Sequence, residues 1–391
     1  MFFKTKEELI ELGAEITTRE IKQQPELWQE ALEIYKEKLA DISNFLDKVV
    51  ETSPDRPVKV IFTGAGTSQY VGDTILPYLK RTADRGRFTF ESIGTTELVS
   101  APYDHLFEDE TVLLVSFARS GNSPESVAAV ALTNQIVSNV YHLTITCAPE
   151  GLLAKRAAGD DKNLLLLMPS RSNDGGFAMT GSFTCMLLTA VMVFDETETL
   201  EAKESYVAYL YEMGQDIIGR VGDLKALVDL DFNRLVYLGS GAMAALTREA
   251  QLKILELTAG KIATMFDSSM GFRHGPKSFV DEKTIVIDFI HNDPYTRQYD
   301  VDLLEEVYSD QIALKTLAIA QKGDPAFSGE SFELLSDIIL PEAYLALADV
   351  LVAQTISLLA SVKVKNTPDT PSASGTVNRV VKGVIIHDYK N

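Results

Sequence analysis

The chain has 391 residues, room for two domains, and its 46% hydrophobic and 24% charged content is the mix of a folded globular protein. Asp and Glu number 56 against 36 Lys and Arg, and the resulting net charge of −20 repels phosphate backbones and anionic lipid, which argues against a nucleic-acid-binding or membrane-surface protein. Two cysteines, Cys147 and Cys185, are too few for a disulfide framework or a thiolate metal site.

In chain order, residues 1–55 read as helix: Ile16, Ile21, Trp28, Leu32, Ile34, Leu39, Ile42 and Phe45 recur at roughly helical spacing among Glu and Lys, with Pro25 as a break. The opening MFFKTKEELIELG is charged at its fourth residue and is not expected to be a signal peptide. No run approaches the roughly 18 apolar residues of a membrane span. A cytoplasmic protein is expected.

After the turn-rich TSPDRP, short apolar runs alternate with longer helical stretches. The runs are VKVIF (58–62), FTFESI (88–93), TVLLVSF (111–117), YHLTITC (141–147) and LLLLM (164–168). Most are too apolar for a half-exposed strand, so a parallel sheet covered on both faces is expected. A second series begins near residue 234: LVYLG (235–239), ATMF (263–266), TIVIDFI (284–290), LKTLAIA (314–320) and ELLSDIIL (333–340), closed by an apolar helix over about 342–363. Each series opens on a strand running into a Gly-containing loop, GAGTS at 64–68 and GSGAM at 239–243, and each has a later strand ending in a small polar loop, ARSGNSP and HNDP. The order predicts an α/β protein with a duplicated domain, each copy a parallel sheet flanked by helices in three layers of the flavodoxin/Rossmann-like kind. The expected division is a helical segment over 1–55, a first domain over 56–215 and a second over 216–391.

Four segments carry candidate chemistry. In Gly64-Ala65-Gly66-Thr67-Ser68 the glycines let backbone N–H groups approach an anion, and Thr67 and Ser68 add hydroxyl donors at a helix N-terminus. The same residues also suit an ordinary turn with a Ser or Thr cap. Neither a dinucleotide fingerprint nor a Walker A loop is present, and no cofactor or metal is expected. The second loop, Ala118-Arg119-Ser120-Gly121-Asn122-Ser123-Pro124, repeats the logic with hydroxyls at Ser120 and Ser123 and a proline suited to the first helical position. Two hydroxyl-rich loops at neighbouring strand ends suit a phosphomonoester. Third, Glu249, Lys253 and Glu256 share one face of a helix at i, i+4, i+7. They form either a solvated ion-pair row or, because the rest of that helix is apolar, the lining of a cleft. Fourth, His274 lies in Gly271-Phe272-Arg273-His274-Gly275-Pro276-Lys277, where an imidazole serves as acid–base group or merely as a turn residue.

Taken in order, these segments resemble the sugar isomerase (SIS) family over about residues 55–385. They are similar to the isomerase half of glucosamine-6-phosphate synthase and to the family's deaminase/isomerase branch, which SFARSGNSPESVAA and AMTGSFT (178–184) resemble in particular. The resemblance implies two tandem SIS domains and an enzyme that acts on a phosphosugar. It implies that Gly66, Thr67, Ser68, Ser120 and Ser123 hold the phosphate, with Arg119 standing where the synthase has Gln. By the same match Glu256 is the base that moves a proton between C1 and C2, with Lys253 and Glu249 beside it. His274 matches the ring-opening histidine, which in the synthase reaches in from the neighbouring subunit, so a homodimer or higher homo-oligomer with a shared active site is implied. Asp174 falls near a substrate-site glutamate of the family. Asn378-Arg379-Val380-Val381-Lys382 resembles the family's Asn-x-x-Lys with one extra residue, which makes Lys382 the candidate Schiff-base lysine. With no glutaminase segment in the sequence, the implied reaction is conversion of galactosamine 6-phosphate to tagatose 6-phosphate and ammonia. A plain aldose–ketose isomerase and a non-catalytic sugar-phosphate sensor are the alternatives.

Overall fold

The structure, a computed structural model, describes residues 1–375, 377–379 and 383–390. They group into two compact units, each discontinuous in sequence. One comprises Leu27–Asp174, Gly181–Glu204 and Val377–Asn391, and the other Met1–Glu26, Gly175–Thr180 and Ser205–Thr376.

The first unit is built on five parallel strands: β1 (Val58–Thr63), β2 (Phe88–Ser92), β3 (Thr111–Ala118), β4 (Asn139–Thr146) and β5 (Asn163–Leu167). Their order is β2-β1-β3-β4-β5. Every residue of β3 is buried, as the unbroken apolar run TVLLVSFA requires of a strand covered on both faces. Because β2 and β3 lie on opposite sides of β1, the chain reverses its direction of travel across the sheet there. The loops after β1 and β3 therefore flank the crevice in which open parallel sheets bind ligands. Pro25 marks the expected break: the helix Glu15–Lys22 ends, Gln23 turns, and Pro25 sits in the first turn of the next helix, Gln24–Glu51, where the missing N–H costs nothing.

The second unit repeats the plan with β6 (Arg234–Gly239), β7 (Ala263–Ser268), β8 (Thr284–Phe289), β9 (Lys315–Ala320) and β10 (Ser331–Glu333), ordered β10-β9-β8-β6-β7 and again all parallel. The repeat extends to backbone angles. Gly66 after β1 has φ 57° and ψ −127°, and Gly241 after β6 has φ 58° and ψ −124°. Both lie in a region open to glycine and strained for other residues.

One expected strand is not formed. ELLSDIIL was read as a strand over 333–340, but β10 ends at Glu333 and the chain continues irregularly to the helix Glu342–Lys363. Side chains take up the backbone groups there. Gln321 donates to the Ile338 carbonyl at 2.8 Å and accepts from the Leu340 N–H at 2.9 Å, and Asn292 donates to the Leu340 carbonyl at 2.9 Å. The reading that no segment approaches the apolarity of a span is also corrected. The helix Glu342–Lys363 is long and apolar enough by length and composition, and it lies almost wholly buried as a core helix.

That helix carries one acid its packing does not explain. Asp349 is buried, and neither carboxylate oxygen has a hydrogen-bond partner among the described residues. Burial holds its carboxyl well above the usual aspartate range, so it folds as a neutral acid. The unfolded chain releases that proton above about pH 4, so this residue costs more stability as the pH rises. Asp349→Ala is expected to raise the thermal midpoint, by more at about pH 8 than at about pH 5. Calorimetry at the two pH values checks this, and an unchanged difference would show that the folded carboxyl is already ionised.

Candidate active site

In the first unit, the β1 loop turns tightly enough that a Cβ on Gly64 would meet the Ser68 carbonyl carbon at 2.5 Å, so glycine is needed there. The helix Thr67–Thr82 is capped by Gly66 with no side-chain cap bond, which places Thr67 and Ser68 inside the first helical turn. The simple Ser/Thr-cap reading therefore does not hold. In the β3 loop Pro124 occupies the first position of the helix Pro124–Ile136, and Ser123 precedes it without capping it. The Ser123 and Ser126 hydroxyls lie 2.6 Å apart, and Ser120 Oγ accepts a long bond of 3.4 Å from the Asn122 N–H. The structure thus places Gly66 and the helix start Thr67–Ser68 after β1, and Ser120 and Ser123 on the loop after β3, on the two sides of the β1/β3 crevice of one unit.

Arg119 and Asp174, the other expected substrate contacts, also bond within the protein. Arg119 is buried, and its Nη2 donates to the Arg379 carbonyl at 2.6 Å. Asp174 is fully buried. Its Oδ1 accepts the Gly181 N–H at 3.1 Å, and its Oδ2 accepts the Ser182 N–H at 2.9 Å and the Ser182 hydroxyl at 2.5 Å. This carboxylate satisfies the open N–H groups at the start of the helix Gly181–Phe194. The Arg379 guanidinium donates through Nε to the Asp174 carbonyl at 2.9 Å and through Nη2 to Asn173 Oδ1 at 3.3 Å. Arg379 ties the C-terminal segment to this loop, a role that sequence reading missed because the partners lie 205 residues apart. Lys382 lies outside the described residues.

In the second unit, the helix Ala242–Leu257 carries Glu249, Lys253 and Glu256. It is not a solvated row. Glu249 and Lys253 side chains are fully buried, and only Glu256 reaches solvent, at 23% exposure. Lys253 Nζ lies 2.6 Å from Glu256 Oε2 and 3.3 Å from Glu249 Oε1. Burial alone would lower the ammonium's pKa; the two carboxylates outweigh it and hold it above the ordinary lysine value. The result is a buried cation clamped between two acids, with one of those acids accessible. His274 is exposed, on a turn closed by its N–H donating to the Gly271 carbonyl at 2.9 Å. The flanking cations are neutralised locally: Arg273 Nε reaches Glu306 Oε2 at 2.6 Å, and Lys277 pairs with Glu306 and Asp310.

Comparison with known proteins agrees with this architecture. The SIS domain pattern matches residues 56–195 and 230–364, one segment on each sheet. The chain is 43% identical over 377 residues to a protein of Escherichia coli named D-galactosamine-6-phosphate deaminase AgaS, covering 96% of both chains. It is 38% identical to the protein of the same name from Shewanella sp. strain ANA-3, covering 98% of this chain and 94% of that one. A crystal structure of tagatose-6-phosphate ketose/aldose isomerase from Escherichia coli superposes with a TM-score of 0.86 at 40% identity, covering 96% of this chain and 97% of the other. Two matched segments, two repeated sheets and relatives that align from end to end leave one assignment: the chain belongs to the SIS domain family.

Proposed function

We propose that this chain is a galactosamine-6-phosphate deaminase, releasing ammonia and tagatose 6-phosphate from its substrate. The observation that carries the reading is the row on the Ala242–Leu257 helix, in a chain that aligns over 96% of its length with a deaminase of that name. An acid that reaches solvent beside a lysine whose charge two carboxylates favour suits transfer of a carbon-bound proton.

The roles are those that the family resemblance implies. Ser68, Ser120 and Ser123, with Gly66 and Thr67, hold the phosphate, which fixes the sugar and makes the later steps effectively unimolecular. His274 passes a proton to the ring oxygen while the O1 hydroxyl proton leaves to water, which opens the hemiacetal. Glu256 takes the proton from C2, leaving an enolamine, and returns it to C1. The resulting ketimine takes up water and releases ammonia and the ketose. Lys253 steadies the developing negative charge. Glu249 has no exposed surface and acts through Lys253. Arg119 works on the Arg379 carbonyl and Asp174 on a helix terminus, so both shape the phosphate-side loops from behind. The active enzyme is a homo-oligomer in which His274 serves a neighbouring chain; its exposure, and that of Phe266 and Met270 nearby in sequence, support this. The cytoplasm suits the two buried free thiols, Cys147 and Cys185.

Ser120→Ala is expected to weaken phosphosugar binding by about 1–3 kcal/mol, the worth of one hydrogen bond to a charged group, with a smaller effect on kcat. Titration calorimetry with tagatose 6-phosphate checks this, and unchanged affinity removes the loop from the phosphate site.

The similarity to a structure named tagatose-6-phosphate ketose/aldose isomerase favours a second reading, isomerisation without loss of nitrogen. Ammonia and ketose assays on galactosamine 6-phosphate, glucosamine 6-phosphate and tagatose 6-phosphate separate the two. Ammonia from galactosamine 6-phosphate is the expected result. Isomerisation of tagatose 6-phosphate with no ammonia from either amine transfers the assignment to the isomerase.

A further inference from the structure

The strands of the second sheet end on a pair of buried acids that no step above uses. Asp288 on β8 and Asp300 on the helix Pro294–Ser309 are both fully buried. One hydroxyl lies between them. Ser269 Oγ is 3.3 and 3.2 Å from the two Asp288 oxygens and 2.7 Å from Asp300 Oδ1. Asp300 also accepts the Ser240 hydroxyl on Oδ1 and the His291 N–H on Oδ2 at 3.0 Å. Among the described residues, Ser269 is the hydrogen-bond partner of Asp288.

A serine hydroxyl has a single proton to give. Spent on Asp300 at the shorter distance, it leaves Asp288 with no donor, and an ionised carboxylate there would be a buried charge without a partner. A protonated Asp288 closes the network: it donates to Ser269 Oγ, and Ser269 donates to Asp300, whose other donors are Ser240 and the His291 N–H. Burial first, and the neighbouring Asp300 second, push the Asp288 carboxyl well above the aspartate range. The other charged groups of the surroundings do not replace this proton. His291 Nε2 lies 3.8 Å from Glu342 Oε1, and Arg297 donates to the His291 and Gln321 carbonyls. Asp267, in register with Leu238 and so on the same sheet face as Asp288, is a third acid and no donor.

What the network holds in place gives it a role. Ser269 opens the short helix Ser269–Phe272, and His274 follows two residues beyond its end. Ser240 lies in the β6 loop that enters the Ala242–Leu257 helix with Glu249, Lys253 and Glu256. We propose that Asp288 and Asp300 share one proton, and that this node positions the His274 turn and the entrance to the Glu249–Glu256 helix. Asp288 is thereby a positioning residue. The kinetic half of the proposal rests on the deaminase reading; the proton itself does not.

Two variants test it. Asp288→Asn keeps a donor toward Ser269 and cannot ionise, whereas Asp288→Ala removes the donor. The unfolded wild-type chain loses the Asp288 proton above about pH 4 while the folded chain keeps it, so wild-type stability falls with rising pH relative to Asp288→Asn. The gap between their thermal midpoints is expected to widen from about pH 4 upward, and a gap independent of pH overturns the shared proton. In turnover of galactosamine 6-phosphate, Asp288→Asn is expected to stay within about threefold of wild type. Asp288→Ala loses about tenfold or more in kcat at nearly constant KM. Full kcat in the alanine variant, or equal loss in both, overturns the positioning role. If the wild type turns over none of the three sugar phosphates, the deaminase reading fails and the midpoint series still decides the proton.

Discussion

Replacing Glu256 by Gln is expected to lower kcat for ammonia release by about 100- to 10,000-fold, the usual worth of a positioned general base. Binding of tagatose 6-phosphate should stay close to wild type. The amide has the same shape and its oxygen still accepts from Lys253 Nζ, now 2.6 Å from the carboxylate, so the helix keeps its packing. The proposed phosphate ligands lie on other elements and are untouched. The variant loses only the capacity to take a proton from carbon. Coupled ammonia detection and titration calorimetry measure the two quantities separately. Retained turnover removes Glu256 from the chemistry, and a parallel loss of affinity shows that the substitution disturbed more than proton transfer.

Lys253→Met should be the most destabilising single change in the second unit. Methionine matches the lysine stem in length, so little packing is lost, but the fully buried Glu249 loses the cation that compensates it. Breaking a buried pair by deleting one partner typically costs about 3–5 kcal/mol, which for a unit of this size lowers the thermal midpoint by roughly 10 °C. The sign of the pH dependence is fixed. With the ammonium gone, the buried acid has its pKa raised, so the variant recovers as the pH falls and the acid takes up a proton. The deficit should therefore shrink toward about pH 5, and a pH-independent deficit would point to lost packing instead. The double variant Lys253→Met/Glu249→Leu should regain most of the loss, because a well-packed apolar pair replaces a buried ion pair at little cost.

Much of this was legible in the residues. Nine of the ten apolar runs coincide with described strands, and a central one such as β3 is unbroken because a strand covered on both faces has no polar side to show. The tenth run, ELLSDIIL, overlaps β10 only at Glu333; beyond it Gln321 and Asn292 capture the backbone, and no local pattern reports partners 17 to 48 residues away. The Glu249-Lys253-Glu256 spacing gave one shared face; it could not give depth, because a solvated row has the same i, i+4, i+7 pattern. Depth came from the helix Glu342–Lys363, which packs over that helix in the second unit. Asp174 and Arg119 sit in motif-like surroundings, and what they bond is settled by a helix start and by a carbonyl 260 residues away. Asp288 did offer a signal, as the one acid inside the buried run TIVIDFI, a position where a charge is rarely left without a reason.

The assignment of the first 26 residues to the second-sheet unit bears on how the chain matures. Asp369 accepts the Ile16 and Thr17 N–H groups at 3.0 and 2.8 Å and the Thr17 hydroxyl at 2.8 Å, a link spanning 352 positions. At ribosomal rates of about 5–20 residues per second, the N-terminal helices emerge first and then wait on the order of 20–70 s for the segment that fixes them. During that interval their apolar faces have no partner. A truncation within residues 1–26 would thus be felt around Asp369, which is made much later.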